Sequence, residues 1–364
     1  MSDLVDLVAS DGRPRPRRRR RGVRTLAIVL FLAVLAGLVV AGLVVGRSLI
    51  SARSTPDYSG EGTGQVLVQV RNGQTASDIA VTLRAEDVVK SEKAFRRAAD
   101  AEPRSRSVQP GFYRLRAQMS GAAAVALLLD PVARARTRVT LPEGVTLAVA
   151  LQRIADATEV PLAELQKAVA DPSALGLPDY AGGQVEGFLY PATYDVEPGT
   201  SAVDTLRLMT VRYAQEADRL RLEARAAELG VTPYDVLRTA SLIEKETAFA
   251  PDRAKVARVV LNRLDAGMPL QFDSTVNYIR EEKKARLSLD DLKQESAYNT
   301  YANKGLPPTP IDSPGTAALE AALNPADGDW IYFVTVAKDG SSLFTDSYEE
   351  FLAAKAKAKA EGIY

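Results

Sequence analysis

The chain of 364 residues contains no cysteine and no histidine. Without cysteine there is no disulfide, no thiol nucleophile and no thiolate-held metal. Without histidine there is no Ser-His-Asp or Cys-His apparatus and no imidazole zinc site. Proton transfer must therefore fall to Asp, Glu, Lys or Tyr. Aromatics are sparse at 6%, with a single tryptophan. Net charge is absent too: 46 basic residues balance 46 acidic ones, so no overall basic field draws nucleic acid. What is present is 46% hydrophobic residues, enough for packed cores, in a length that accommodates an anchor and two modest domains.

The charge is unevenly placed. Residues 1–24 carry eight arginines against Asp3, Asp6 and Asp11, so this tail is basic and the remainder acidic. From Thr25 to Gly46 there is no charge at all, and the residues are almost wholly Leu, Val, Ala, Ile and Gly. Such a run is long enough to cross a hydrocarbon core as a helix. The arginines before it place the N-terminus in the cytoplasm and everything after Arg47 outside. A cleaved signal peptide is the competing reading, but the run exceeds a typical signal core and no A-x-A site closes it.

The expected organisation is α+β throughout: a basic tail (1–24), a single transmembrane helix (25–46), a Ser/Gly/Thr-rich linker (47–64), a small subdomain (65–135) and a larger mixed α+β domain (136–364). In the small subdomain the alternation of Val66 to Val70 predicts a strand. Thr75 and Ser77 can cap a helix starting near Asp78, a second helix covers about 91–100, and Gly111 to Leu115 returns as a strand. Gly73-Gln-Thr-Ala-Ser-Asp-Ile-Ala80 resembles the opening of a LysM glycan-binding repeat; a structural spacer reads equally well.

In the larger domain, strand character at Arg138 to Leu141 is followed by helices at about 146–156 and 161–170. Glu186-Gly-Phe-Leu-Tyr-Pro-Ala-Thr-Tyr194 is aromatic-rich; its rings suit either sugar stacking or core filling. One long helix is expected over 202–229 and another over 253–266. A core strand is expected within 327–336, a hairpin turn at Asp339-Gly340 with Ser342 to Thr345 as its partner, and a last helix from Tyr348.

Thr232-Pro-Tyr-Asp235 starts the most informative helix, with Thr as N-cap and Pro at the first helical position. Its far end reads Thr239-Ala-Ser-Leu-Ile-Glu-Lys-Glu-Thr247. Val236, Ala240, Ile243 and Thr247 form one stripe; Thr239, Leu242 and Glu246 form a second; Leu237, Ser241 and Glu244 a third. Glu246 thus sits at the rim of a core, where desolvation and the helix C-terminus both favour its neutral form. Lys245 opposes this from a different face. A carboxyl that keeps its proton near neutral pH is what a departing glycosidic oxygen requires. The plain alternative is that both glutamates make salt bridges.

Together with this motif, several segments carry a resemblance. They are Glu186 to Tyr194, Val259-Val-Leu-Asn-Arg-Leu264 with Gly267-Met268, Leu270-Gln-Phe-Asp-Ser-Thr-Val276, Ser296-Ala-Tyr-Asn-Thr-Tyr301, Gly305-Leu-Pro-Pro-Thr-Pro-Ile311 with Ser313-Pro-Gly315, and Tyr332-Phe-Val334. The chain resembles the YceG-like, MltG-type endolytic murein transglycosylases, membrane-anchored enzymes that cut peptidoglycan glycan strands. The resemblance implies that Glu246 is the catalytic residue. It would protonate the oxygen between N-acetylmuramic acid and N-acetylglucosamine, then take the proton of the muramoyl 6-hydroxyl as a 1,6-anhydro ring closes. Substrate contacts are expected from Glu244, Gln271, Asp273, Ser274, Thr275, Tyr298, Asn299 and Tyr301, with loops bracing the core as the other reading. No metal or organic cofactor is implied. Peptidoglycan glycan strands are the expected partner, with peptidoglycan synthases in the same membrane and a role in ending strand elongation suggested by the family.

One departure stands out. Relatives commonly carry histidine near the C-terminal hairpin, where this chain has Ser342, Leu343 and Tyr348-Glu-Glu350. Two other classes stay open: a glycoside hydrolase using Glu246 with Glu244 or Asp273, and a non-catalytic anchored glycan-binding scaffold.

Overall fold

The structure, a computed structural model, describes residues 28–43, 55–284 and 286–363. The basic tail, both ends of the apolar run and residues 47–54 of the linker lie outside the described residues. Residues 28–43 are helical (α1) with their apolar side chains exposed. Among the described residues no helix is long and apolar enough to cross a membrane. The rest of the fold is mixed α+β: helices dominate, and the strands form three separate two-stranded sheets.

The chain divides into two compact units. Among the described residues, the first comprises 28–43, 55–66, 73–108 and 115–129; the second comprises 67–72, 109–114, 130–284 and 286–363. Strands β1 (Thr63–Val70) and β2 (Gly111–Ala117) pair with each other, and each contributes residues to both units.

In the first unit, α2 (Ala76–Ala85) begins at a capping box in which the Thr75 side chain accepts from Asp78 N–H and the Asp78 carboxylate takes the Thr75 N–H. Helix α3 (Glu92–Ala101) is capped by Ser91. A third helix, α4 (Gly121–Leu129), follows the returning strand. It was not expected, because Gly-Ala-Ala-Ala-Val-Ala-Leu-Leu-Leu is apolar all round and shows no helical stripe. Ile79, Leu83, Phe95, Val125 and Leu128 are buried as the unit's core.

The second unit opens with β3 (Thr137–Thr140), α5 (Leu147–Ala157) and α6 (Leu162–Ala170). Strand β4 (Thr193–Val196) pairs antiparallel with β3, Val139 opposite Tyr194. The segment feeding β4 is irregular rather than extended. Its aromatics do not stand on a surface: Phe188, Tyr190 and Tyr194 are all buried, which decides for core filling over sugar stacking.

The single long helix expected over 202–229 is two helices, α7 (Ala202–Arg219) and α8 (Leu222–Glu228). Arg221 breaks them by adopting a left-handed conformation, φ +52°. The break turns both Leu220 and Leu222 into the core, and no Gly or Pro announces it.

Helix α9 (Pro233–Glu246) has the expected capping box between Thr232 and Asp235 with proline at its first turn. It packs against α8, against α10 (Arg253–Asp265), α11 (Asp273–Tyr278) and α12 (Thr316–Leu323). Val236, Leu237, Ala240, Leu242 and Ile243 are each no more than 2% exposed. The stripes have different partners. Val236, Leu237, Ala240 and Ile243 join a cluster with Phe188, Tyr213 and Leu319. Leu242 instead joins Val260, Leu270, Phe272 and Ile311. Each large side chain buried this way contributes roughly 1.5–3 kcal/mol, so α9 is anchored along its whole length.

The chain ends with β5 (Tyr332–Thr335), β6 (Ser342–Thr345) and α13 (Tyr348–Ala360). The two strands form the expected hairpin, Val334 opposite Leu343. The strand at 327–336 is shorter than its composition suggests and mostly half-buried, with α13 and α10 packing on it.

Arg221 pays a conformational cost that glycine would not. Arg221→Gly should raise stability by about 0.5–1 kcal/mol, read as a higher midpoint in urea. A lower midpoint would mean that the helix break is held by the arginine side chain itself.

Candidate active site

Helix α9 delivers Glu246 as its last residue, one turn beyond the buried Leu242, and Thr247 closes the helix as its C-cap. Here the second unit has a cavity of about 400 Å³, lined by Lys245 and Glu246, by Asp273, Ser274 and Tyr278 of α11, and by Ile311, with Thr146, Asn277, Lys283 and Lys284 completing the wall. Another cleft of about 400 Å³ runs beside Glu159, Pro161 and Glu197, but none of the motif residues lines it.

The Glu246 carboxyl is pushed up to about 7, first by loss of solvent and next by the negative charge of Asp273. Ser274, through its hydroxyl and its backbone N–H, and Arg263 act in the other direction and favour the anion. Ser274 Oγ is buried without a hydrogen bond of ordinary geometry to any protein group, although it lies against this carboxyl. An unspent hydroxyl beside a proton-holding carboxyl suits a site that completes its hydrogen bonds with a ligand.

Arg263 is held rigidly: its guanidinium donates to Ile331 O at 2.6 Å and to Leu270 O at 2.5 Å. Asp273 is exposed and accepts from Tyr301 O–H at 2.6 Å. Lys245 does not point away from Glu246, as adjacent positions on a helix would suggest. Its long side chain bends to the same cavity, donating to Gly144 O at 2.5 Å with Asp312 at 3.8 Å. Asp312 is fully buried, and desolvation pushes its carboxyl well above the usual carboxylate range despite that lysine. Lys283 caps the end of α11 through the carbonyls of Asn277, Tyr278 and Arg280, and Lys284 pairs with Asp291.

The expected site residues divide. Glu246, Asp273 and Ser274 line the cavity together. Tyr301 stands behind Asp273, and Tyr298 packs its ring against Tyr278 with centroids 4.9 Å apart. The others lie elsewhere. Glu244 takes Gly315 N–H at 3.1 Å and faces Arg253 at 3.6 Å, a buried structural tie. Thr275 is buried against Phe272 O and Thr300, and Asn299 is buried with its amide on Leu292 O and Gln294 O. Both brace loops; polar side chains at a cleft and polar side chains holding a loop look alike in sequence. Gln271 is exposed with φ +56° and is not part of the wall.

The sequence reading missed two functional candidates. Tyr278 follows directly on the motif segment, and no spacing marked it. Glu186 opened the aromatic segment and was passed over. It is 7% exposed, accepts Leu147 N–H at 2.8 Å and Tyr278 O–H at 2.9 Å, and burial pushes it up to about 7. Among the described residues, no group of three or more acidic side chains is placed to hold a metal ion.

The chain as a whole is similar to known proteins. A model of the YceG-like family matches residues 68–357. The chain is 34% identical over 307 residues to an endolytic murein transglycosylase of Bacillus subtilis (strain 168), covering 80% of this chain and 84% of that protein. It is 29% identical over 315 residues to an endolytic murein transglycosylase of Streptococcus pneumoniae (strain D39), covering 78% of this chain but only 57% of that longer protein. A crystal structure of a yceG-like protein from Listeria monocytogenes superposes with a TM-score of 0.55 at 28% identity, over 79% of this chain and 98% of that one.

A carboxyl raised by burial has a sign consequence for stability. The folded state holds the Glu246 proton to about pH 7 and the unfolded chain only to about 4.5, so stability falls as pH rises across that window. Glu246→Gln removes the penalty. The variant should match the parent near pH 4 and exceed it by about 1–3 kcal/mol at pH 8, measured by urea unfolding. Equal stability at both pH values would show that the carboxyl is solvated.

Proposed function

The chain belongs to the YceG-like family, and on that basis we propose that it is an endolytic peptidoglycan lytic transglycosylase with Glu246 as its acid and base. The observation that carries the reading is one carboxyl, held neutral near pH 7, facing a cavity large enough for a sugar unit. The names of the two relatives support the substrate class.

In this reading the neutral Glu246 gives its proton to the glycosidic oxygen between N-acetylmuramic acid and N-acetylglucosamine as the C1–O bond breaks. The carboxylate so formed then accepts the proton of the muramoyl 6-hydroxyl, whose oxygen bonds to C1. The enzyme returns to its starting protonation, and no water enters the product. Loss of the proton on the first step and its recovery on the second both profit from a pKa near the working pH. Ser274 supplies a hydroxyl for the carboxylate once it forms, and Arg263 steadies the same charge from behind.

A hydrolase needs a second carboxylate for its water or its anomeric carbon. Glu244 is tied to Gly315 and Arg253, which disfavours it. Asp273 lines the same cavity and keeps that second reading alive. We also propose that the apolar run at 25–46 anchors the chain with its catalytic unit outside the membrane. The uncharged run and its arginine flank support this.

Digestion of purified peptidoglycan decides between the readings by product mass. Anhydro-muramic ends, lighter by one water than reducing ends, are expected, and Glu246→Gln should abolish them. Because Glu246 must start protonated, kcat/KM should fall about tenfold per pH unit above about 7. Reducing ends would establish hydrolysis. Undiminished product from Glu246→Gln would remove this residue from the chemistry.

A further inference from the structure

Glu186 is used by nothing in the mechanism above, yet it ties the cavity together. One carboxyl oxygen accepts Leu147 N–H, the first residue of α5, at 2.8 Å; the N-cap before it, Thr146, lines the cavity. The other oxygen accepts Tyr278 O–H at 2.9 Å, and Tyr278 is itself wall. The next residue, Gly187, has φ +90°, and a Cβ there would come within 2.7 Å of Pro310, next to the wall residue Ile311. Three separate stretches of the Glu246 cavity therefore converge on the Glu186-Gly187 turn.

We propose that Glu186 is a positioning residue that fixes the Tyr278 wall opposite Glu246 and dictates whether the Tyr278 hydroxyl presents its proton or its lone pair to bound glycan. The inference rests on the reading of this cavity as the glycan site. A phenol has one proton. When Glu186 is ionised, that proton is spent on the carboxylate, and Tyr278 can only accept from the ligand. When Glu186 is neutral, one oxygen keeps Leu147 N–H while the acid O–H donates to the phenol oxygen. The Tyr278 proton is then released from Glu186 and can turn toward a sugar hydroxyl or N-acetyl oxygen, with the Thr309 hydroxyl beside it as the competing acceptor.

Burial sets Glu186 at about 7, so both arrangements lie within the working range. The titratable groups facing it are Tyr278, Tyr234 and Asp312. Burial pushes both tyrosines up, so they stay protonated, and it pushes the Asp312 carboxyl well above the usual carboxylate range. Lys245, beside Asp312, supplies the nearby positive charge. Within this group it is Glu186 that burial brings to about 7 and that holds both Leu147 N–H and Tyr278 O–H.

The test uses the full chain in detergent, in a Glu246→Gln background so that binding is read without turnover. The probe is soluble, uncross-linked glycan strands, titrated by calorimetry at pH 6 and pH 8. Tyr278→Phe should weaken binding at pH 6 about three- to tenfold, the range of one hydrogen bond. Adding Glu186→Ala to it should cost less than about a further twofold, because the two act as one unit. Glu186→Gln should keep the neutral arrangement at both pH values, since its amide can donate to Tyr278, and should bind more tightly than its parent at pH 8. Multiplying effects of the two substitutions, an unchanged pH dependence in Glu186→Gln, or no glycan binding by any variant would overturn the proposal. Hydrolytic products from the active chain would instead defeat the transglycosylase reading and leave this binding result standing.

Discussion

Desolvation of one carboxyl at the end of a buried helix is the constraint on which the site depends. Helix α9 is enclosed along its length, with Leu237, Leu242 and Ile243 at 0% exposure. A helix locked in that way holds its last residue half-buried at the cavity rim. Glu246 is therefore carried into the cavity wall with Asp273 adding negative charge beside it, and it keeps its proton. The groups that favour its anion, Ser274 and Arg263, come from α11 and α10, which pack directly on α9. The same packing that stabilises the unit thus sets the chemistry, and the carboxyl costs stability at neutral pH that the surrounding core offsets.

The several acidic groups around the site have distinct environments and distinct uses. Glu244, two residues from Glu246, points to another face and is tied to Gly315 N–H and Arg253. Asp312 is buried, and desolvation raises its carboxyl well above the usual carboxylate range. Asp273 is exposed and held by Tyr301. Only Glu246 combines a raised pKa with a place on the cavity wall, and Glu186 combines a raised pKa with a place behind it. Environment, rather than residue type, separates acid from brace.

Much of this was legible in the sequence because it rests on local rules. The Thr232-Pro233-Asp235 start of α9 is a capping box with Pro at the first turn, and the hydrophobic stripes of α9 follow from helical period. The Asp339-Gly340 hairpin is turn chemistry. What could not be read was set by tertiary contact. The break at Arg221 has no local signal, because it is the burial of Leu220 and Leu222 that selects it. Helix α4 is apolar on every side, so periodicity was silent. Thr275 and Asn299 looked like cleft residues because hydrogen-bonded loop braces and ligand contacts draw on the same side chains. Glu186 was hidden for the opposite reason. Its partners, Leu147 and Tyr278, are far away in sequence, and only the fold brings them to it.

The central claim is that the Glu246 carboxyl retains its proton near neutrality, and it can be observed directly. Carbon-13 labelling of glutamate side-chain carboxyls, with the Glu246 resonance assigned by its absence from a Glu246→Gln sample, gives the titration of that group by NMR. A midpoint close to 7 is expected. A midpoint near 4.5, the ordinary value for glutamate, would contradict the claim and with it the acid–base role assigned to this residue.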